Sequence, residues 1–116
     1  MSDDRPEPAQ APSVSNAAER HRYEISVGTE LAGLTAYVDT NGQRIFYHTE
    51  TSPAFSGRGL AATLVSAALI DTQRDGRRIV AVCPYVAKYV QEHHEFDEVL
   101  DPVTPEALRA VRARQT

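Results

Sequence analysis

Apolar and polar residues alternate along Tyr23–Val27 (YEISV) and again along Leu31–Val38 (LAGLTAYV). A period of two predicts strands with one face turned toward a core. Gly28-Thr29-Glu30 between them has the length and the glycine of a hairpin turn. Asn41-Gly42, in DTNGQ, marks a second tight turn before a third strand, Arg44–Glu50 (RIFYHTE). His48 and Glu50 are two apart on that strand, so alternation puts both on one face, the face that also carries Phe46. The domain is therefore expected to open with an antiparallel three-stranded meander.

Beyond the third strand the period changes. Leu60, Leu64, Ala67, Ala68 and Ile70 form one helical stripe. Gly76 ends that helix, with Arg74 in the last turn where a cation suits the dipole. Ile79–Cys83 (IVAVC) is an all-apolar run typical of a strand covered on both faces. Strand, crossover helix and strand predict a right-handed parallel unit. Pro84 suits the first turn of a second helix, Tyr85 to about His93. Val99-Leu100 predicts a short edge strand, and Thr104-Pro105-Glu106 opens a last amphipathic helix with Leu108 and Val111 inward. The fold class is α+β: the meander, a glycine-loop helix, a parallel strand and further helices.

Composition narrows the setting. Met1–Arg20 has prolines at 6, 8 and 12, and Val14 is its one sizeable apolar side chain after Met1. Such a segment buries too little surface to offset its ordering entropy. Residues 1–20 are expected to be a disordered tail, with one domain over 21–116. The tail opens with acids and lacks the apolar run of a signal peptide, and nothing in the chain is long and apolar enough to span a bilayer. A soluble, cytoplasmic protein with no membrane partner is expected. Net charge is −4, with eleven arginines scattered and no basic-aromatic ladder, which argues against nucleic acid. One cysteine, Cys83, and four scattered histidines argue against a disulfide or a metal site.

The chemistry concentrates where loop becomes helix. Ser52–Ile70 reads SPAFSGRGLAATLVSAALI, with Gly57 and Gly59 flanking Arg58 at the mouth of the helix. Glycines there clear side chains from unpaired backbone N–H groups and from the positive end of the dipole, a site suited to a pyrophosphate. A bare strand-to-helix turn needing positive φ explains the same glycines. A Walker loop is excluded because Leu60 follows Gly59. Gly57–Ala62 matches a dinucleotide G-x-G-x-x-A literally, but three antiparallel strands precede it and the next strand ends in Cys83 rather than an acid.

The order of elements, with "FYHTE" (46–50), "GRGLAATLV" (57–65), and "CPYVAKYV" followed by "HHEF" (83–96), resembles the very small single-domain members of the GNAT superfamily of N-acetyltransferases. The resemblance covers roughly residues 22–100. It implies acetyl-CoA as cosubstrate, with the pyrophosphate on the backbone of Ser56, Gly57, Arg58, Gly59, Leu60 and Ala61. The pantetheine arm would follow the strand through Thr49 and Thr51, in a gap where it splays from Ile79–Cys83. Two departures stand out. Ser56 occupies a position where arginine or glutamine is usual, so side-chain help to the pyrophosphate is weaker. The Gly28–Glu30 turn also leaves no room for the helices that floor the acceptor pocket in most relatives, so the acceptor side is expected to be open.

Acetylating an amine takes a base for the ammonium and an acid for the departing thiolate. Histidine as a residue type suits a base near neutral pH, and Glu50 shares the strand face with His48; both are candidates, and both have the ordinary alternative of a hydrogen-bonded strand residue. Cys83 ends a buried strand at a helix start, where a thiol is activated. Paired with His48 it could relay the acetyl group, or it could simply pack beneath the sheet. The resemblance suggests Tyr89 as the acid, with Tyr85 as the spare candidate. His93 and His94 lack a third metal ligand and are expected to cap the helix C-terminus. Arg109, Arg112 and Arg114 read as a solvated face, with a coenzyme A phosphate or an acidic partner as alternatives. The sequence thus supports transfer of an acetyl group to a small-molecule or protein amine, with a non-catalytic acyl-CoA-binding module as the alternative.

Overall fold

The computed structural model describes residues 11–115 of the chain. Six strands form one sheet in sequence order: β1 (Pro12–Ala17), β2 (Arg22–Val27), β3 (Glu30–Thr40), β4 (Gln43–Thr51), β5 (Arg78–Ala81) and β6 (Leu100–Asp101). The strands from β1 to β4 are antiparallel; β5 runs parallel to β4, and β6 parallel to β5. The helices are α1 (Leu60–Arg74), α2 (Pro84–Glu92) and α3 (Pro105–Gln115). The expected α+β meander, crossover helix and parallel strand are all present.

The expected tail is corrected from Pro12 onward. Pro12–Ala17 pairs along β2, from Pro12 opposite Val27 to Ala17 opposite Arg22. Backbone hydrogen bonds explain this better than composition does, since a strand on a sheet edge needs few apolar side chains. Two side chains also anchor it: Val14 packs against the core, and Asn16 accepts a 2.7 Å hydrogen bond from the buried Tyr37 hydroxyl. Residues 1–10 of the expected tail lie outside the described residues.

One face of the sheet is covered by α1 and α2. Tyr23, Tyr37, Phe46 and Ile79 pack there against Leu64, Val65, Ala68, Leu69 and Val86. The α1 stripe differs from expectation: Ile70 is exposed and Ala67 half-buried, while Val65 and Leu69 are buried. With 100° per residue, Ile70 falls outside the arc that Leu64, Ala68 and Thr72 define. The opposite face is partly covered by α3, where Ala107 and Val111 meet Ile45 and Val80. Leu108, expected inward, is exposed; Ala107 and Val111, four apart, share the buried face instead.

A buried arginine ties the sheet to the end of α1. Arg44 is 4% exposed, bonds both oxygens of Asp39 at 2.7 and 2.8 Å, and donates to the Tyr23 hydroxyl at 2.6 Å. Tyr23 donates in turn to Asp71 at 2.6 Å, and the Arg44 guanidinium lies over the Tyr37 ring. Burial, the largest single influence, favours the neutral guanidine, but the Asp39 hydrogen bonds together with the charges of Tyr23, Asp39 and Tyr37 overcome it and hold Arg44 above its ordinary range. Burial, then the bond to Asp71, pushes the Tyr23 phenol up. Asp71 and Asp75 sit at the negative end of α1, and Arg44 offsets that unfavourable placement.

Candidate active site

The glycine loop ends in a backbone conformation that only glycine adopts without strain. Gly57 has φ +83°, and Gly59, which precedes the first residue of α1, has φ +69°. No side chain caps the first turn of α1, and a Cβ on either glycine would meet nothing within 4 Å. The open space above them is a pocket of about 190 Å³ lined by Thr51, Phe55, Ser56, Gly57, Gly59, Leu60, Ala61, Ala62 and Tyr85. The first-turn residues Leu60, Ala61 and Ala62 of the 15-residue helix line it, and the first N–H groups of a helix have no intrahelical partner. Arg58, exposed, lies with its guanidinium 5.4 Å from the Phe55 ring centre, at the rim.

Next to this pocket, β4 and β5 part. The ladder to β5 ends where Phe46 pairs with Ala81, and the Phe46 carbonyl accepts N–H groups from both Val82 and Cys83, at 2.9 and 2.8 Å. Beyond that point β4 runs on to Thr51 while β5 gives way to α2, so the two diverge. Thr49 and Thr51 lie on β4 beyond the end of its ladder with β5.

A bulge redistributes the candidate chemistry. Tyr37 pairs with Phe46 but Ala36 pairs with His48, which leaves Tyr47 without an opposite residue on β3. One extra residue reverses the phase of everything after it. Thr49, not His48, therefore shares the face of Phe46. This corrects the expected grouping of Phe46, His48 and Glu50: the last two do share a face, but it is the face away from α1 and α2. There His48 Nε2 lies 3.2 Å from Glu50 Oε2, both side chains more than half exposed.

Cys83 consequently has a different neighbour from the one expected. It is 4% exposed, packs in the main core, and its thiol donates to the Thr49 hydroxyl at 3.3 Å; Thr49 in turn is 2.9 Å from Thr35 Oγ1. His48 is across the sheet, so no Cys83–His48 pair forms. Sequence alternation could not reveal this, because nothing in RIFYHTE marks a bulge.

On α2, Tyr89 is 8% exposed, and its ring stacks on His93 with centres 3.9 Å apart. Tyr85, one turn earlier, is the tyrosine that lines the glycine-loop pocket, and it shares a second hollow of about 120 Å³ with Lys88, Tyr89 and Glu92. Burial, then Tyr89 and Glu92, pushes the Tyr85 phenol up. His93 Nδ1 is 2.9 Å from the Tyr89 carbonyl, the capping role expected of it, whereas His94 turns to Asp97. Arg109, Arg112 and Arg114 are exposed on α3, on the face opposite α1. Among the described residues no three potential ligands cluster for a metal, and no helix is long and apolar enough to cross a membrane.

A sheet whose fourth and fifth strands part beside a glycine-capped helix is an arrangement of the GNAT type. The family model of GCN5-related N-acetyltransferases matches residues 22–99, and the chain belongs to that family. Among solved structures, the fold is similar to a GCN5-like protein from Staphylococcus aureus determined by NMR in solution. The TM-score is 0.60 at 15% identity, over 80% of this chain and 91% of that one. No curated protein sequence matches the chain.

Proposed function

We propose that this protein transfers the acetyl group of acetyl-CoA to an amine, by direct attack rather than through Cys83. The observation that carries the cosubstrate reading is the pair of positive-φ glycines with open space above them at an uncapped helix start. Residues Ser56–Ala61 suit the pyrophosphate there, with Arg58 at the rim compensating for the uncharged Ser56. Thr51 and Thr49 flank the pantetheine arm along the free stretch of β4. Bound acetyl-CoA supplies the thioester that the amine attacks.

The chain's own residues handle the protons. His48, held at 3.2 Å from Glu50, accepts the proton that makes an ammonium unreactive, and Glu50 stabilises the imidazolium that results. Tyr89 is the proposed donor to the departing thiolate, with Tyr85 forming the wall of the pocket beside it. Cys83, hydrogen-bonded to Thr49 and lacking a base, is assigned to packing at the edge of the site. Direct attack is favoured by this separation of Cys83 from His48.

Mass spectrometry after incubation with acetyl-CoA, with and without an added primary amine, tests the reading. An acetylated amine with no stable protein adduct is the expected result. An adduct at Cys83 that passes to the amine would replace direct attack by a relay. Binding without transfer to any amine would leave an acyl-CoA-binding module.

A further inference from the structure

A second bulge builds a groove on the face that carries His48 and Glu50. Ile25 pairs with Gly33 but Ser26 pairs with Leu31, leaving Ala32 without an opposite residue on β2. The phase change brings Leu31 and Leu34 onto the same side of the sheet, away from the core that holds Ile25. Leu34 pairs with Glu50, and Gly33 pairs with Thr51. The result is a hollow of about 220 Å³ lined by Leu31, Leu34, Glu50, Pro53 and the backbone between them.

Two properties of this groove define its ligand. Leu31 is 45% exposed and contributes an apolar floor, while Glu50 is the one charged residue of the lining, with no basic residue among its members. An aliphatic stem ending in a cation matches that pattern. The groove is also shallow and unwalled, because β2 and β3 are joined directly at Gly28-Thr29. At about 220 Å³ it falls below the roughly 300–1,000 Å³ of sites that enclose a free small molecule. A lysine side chain carries its own polypeptide to close the open side; a free alkylamine does not.

We infer that the groove of Leu31, Leu34 and Glu50 receives a lysine side chain presented by a polypeptide. The stem lies on the two leucines, and the ammonium meets Glu50 beside His48. Gly33 lets β3 and β4 approach closely beneath the groove, since a Cβ there, on the Ile25 side of the sheet, would come within 2.8 Å of the Glu50 carbonyl oxygen and 2.9 Å of Thr51 Cγ2. Acetylation of the bound lysine rests on the acetyl-transfer reading, but the binding itself is measurable without turnover.

The test is an NMR titration of the labelled full chain with a short blocked Gly/Ser peptide containing one lysine. The probes for comparison are the same peptide with Nε-acetyllysine, and n-butylamine. Shifts confined to residues 31–34 and 50–53 are expected, with the acetylated peptide and n-butylamine each about tenfold weaker, and with Glu50→Gln and Leu31→Arg each weakening the lysine peptide about tenfold. Leu31 is on the surface, so its substitution leaves the core intact. No shifts, shifts elsewhere, or n-butylamine binding as tightly as the peptide would overturn the inference. A parallel titration with coenzyme A reports on residues 56–61, so loss of the cosubstrate reading shows separately from loss of the groove.

Discussion

The Cys83 thiol lies 3.3 Å from the Thr49 hydroxyl, on the opposite side of the sheet from His48. A base and a thiol that alternation would place together are thus separated by one extra residue in β4. Direct transfer then predicts that Cys83→Ala keeps most of its activity. His48→Ala should lower kcat by about a hundredfold or more, as loss of a general base does. Steady-state kinetics on the purified variants decides this; a Cys83→Ala enzyme as impaired as His48→Ala would restore the relay.

Coenzyme A binding is expected to depend on the open space above the glycines. Gly59→Val places a β-branched side chain at φ +69°, where it both strains the loop and enters the pocket, and should abolish binding in calorimetry. Ala61→Glu separates the two effects. An acid in the first turn suits the helix dipole, so folding should hold while an anionic ligand is repelled. Undiminished affinity in Ala61→Glu would place the site elsewhere.

Arg44 is expected to be the most sensitive polar position of the fold. Arg44→Met leaves Asp39, Tyr23 and the acidic end of α1 without their common partner, at a cost of about 2–3 kcal/mol. Urea denaturation measures it. A neutral substitution would show that the cluster is not a structural tie.

Removing residues 1–20 is expected to destabilise the protein relative to a chain that starts at Ala11. The deletion exposes β2 as a new edge and strips Tyr37 of its Asn16 partner, a loss of about 2 kcal/mol from that hydrogen bond and the packing of Val14. Thermal melting of the two chains gives the comparison.

Acid should unfold the protein in part through Glu24 and Asp101. The hydrogen bond from Arg22 leads in lowering the Glu24 carboxyl, against a smaller cost of burial, and Arg20 adds to it. Gln43 leads for Asp101, again against burial, with Arg78 adding. Both carboxyls hold protons more weakly folded than unfolded, so the unfolded chain binds more protons at low pH. Their contribution is full above the ordinary glutamate value of 4.5 and fades as pH falls through the lowered values. Glu24→Gln should therefore lower stability at pH 7 and flatten its decline below pH 4.5, read from urea midpoints across pH.

The sequence by itself determined the elements from β2 to α3, because period-two and helical apolar patterns and the glycine and proline punctuation are local signals. It also determined the glycine turn into α1, since Gly57 and Gly59 at a helix start carry their backbone requirement in their identity. Three things were decided only by the tertiary structure. Pro12–Ala17 became a strand because β2 offered an unpaired edge, a property of the sheet rather than of that segment's composition. Arg44 became a buried tie because the end of α1 happens to bring Asp71 and Asp75 over the strand that carries it. And the faces of His48, Thr49, Leu31 and Leu34 were set by bulges at Tyr47 and Ala32. A bulge is a mismatch in register between two strands, so neither strand's own sequence records it. In this protein that mismatch assigns Thr49 to Cys83 and His48 to Glu50.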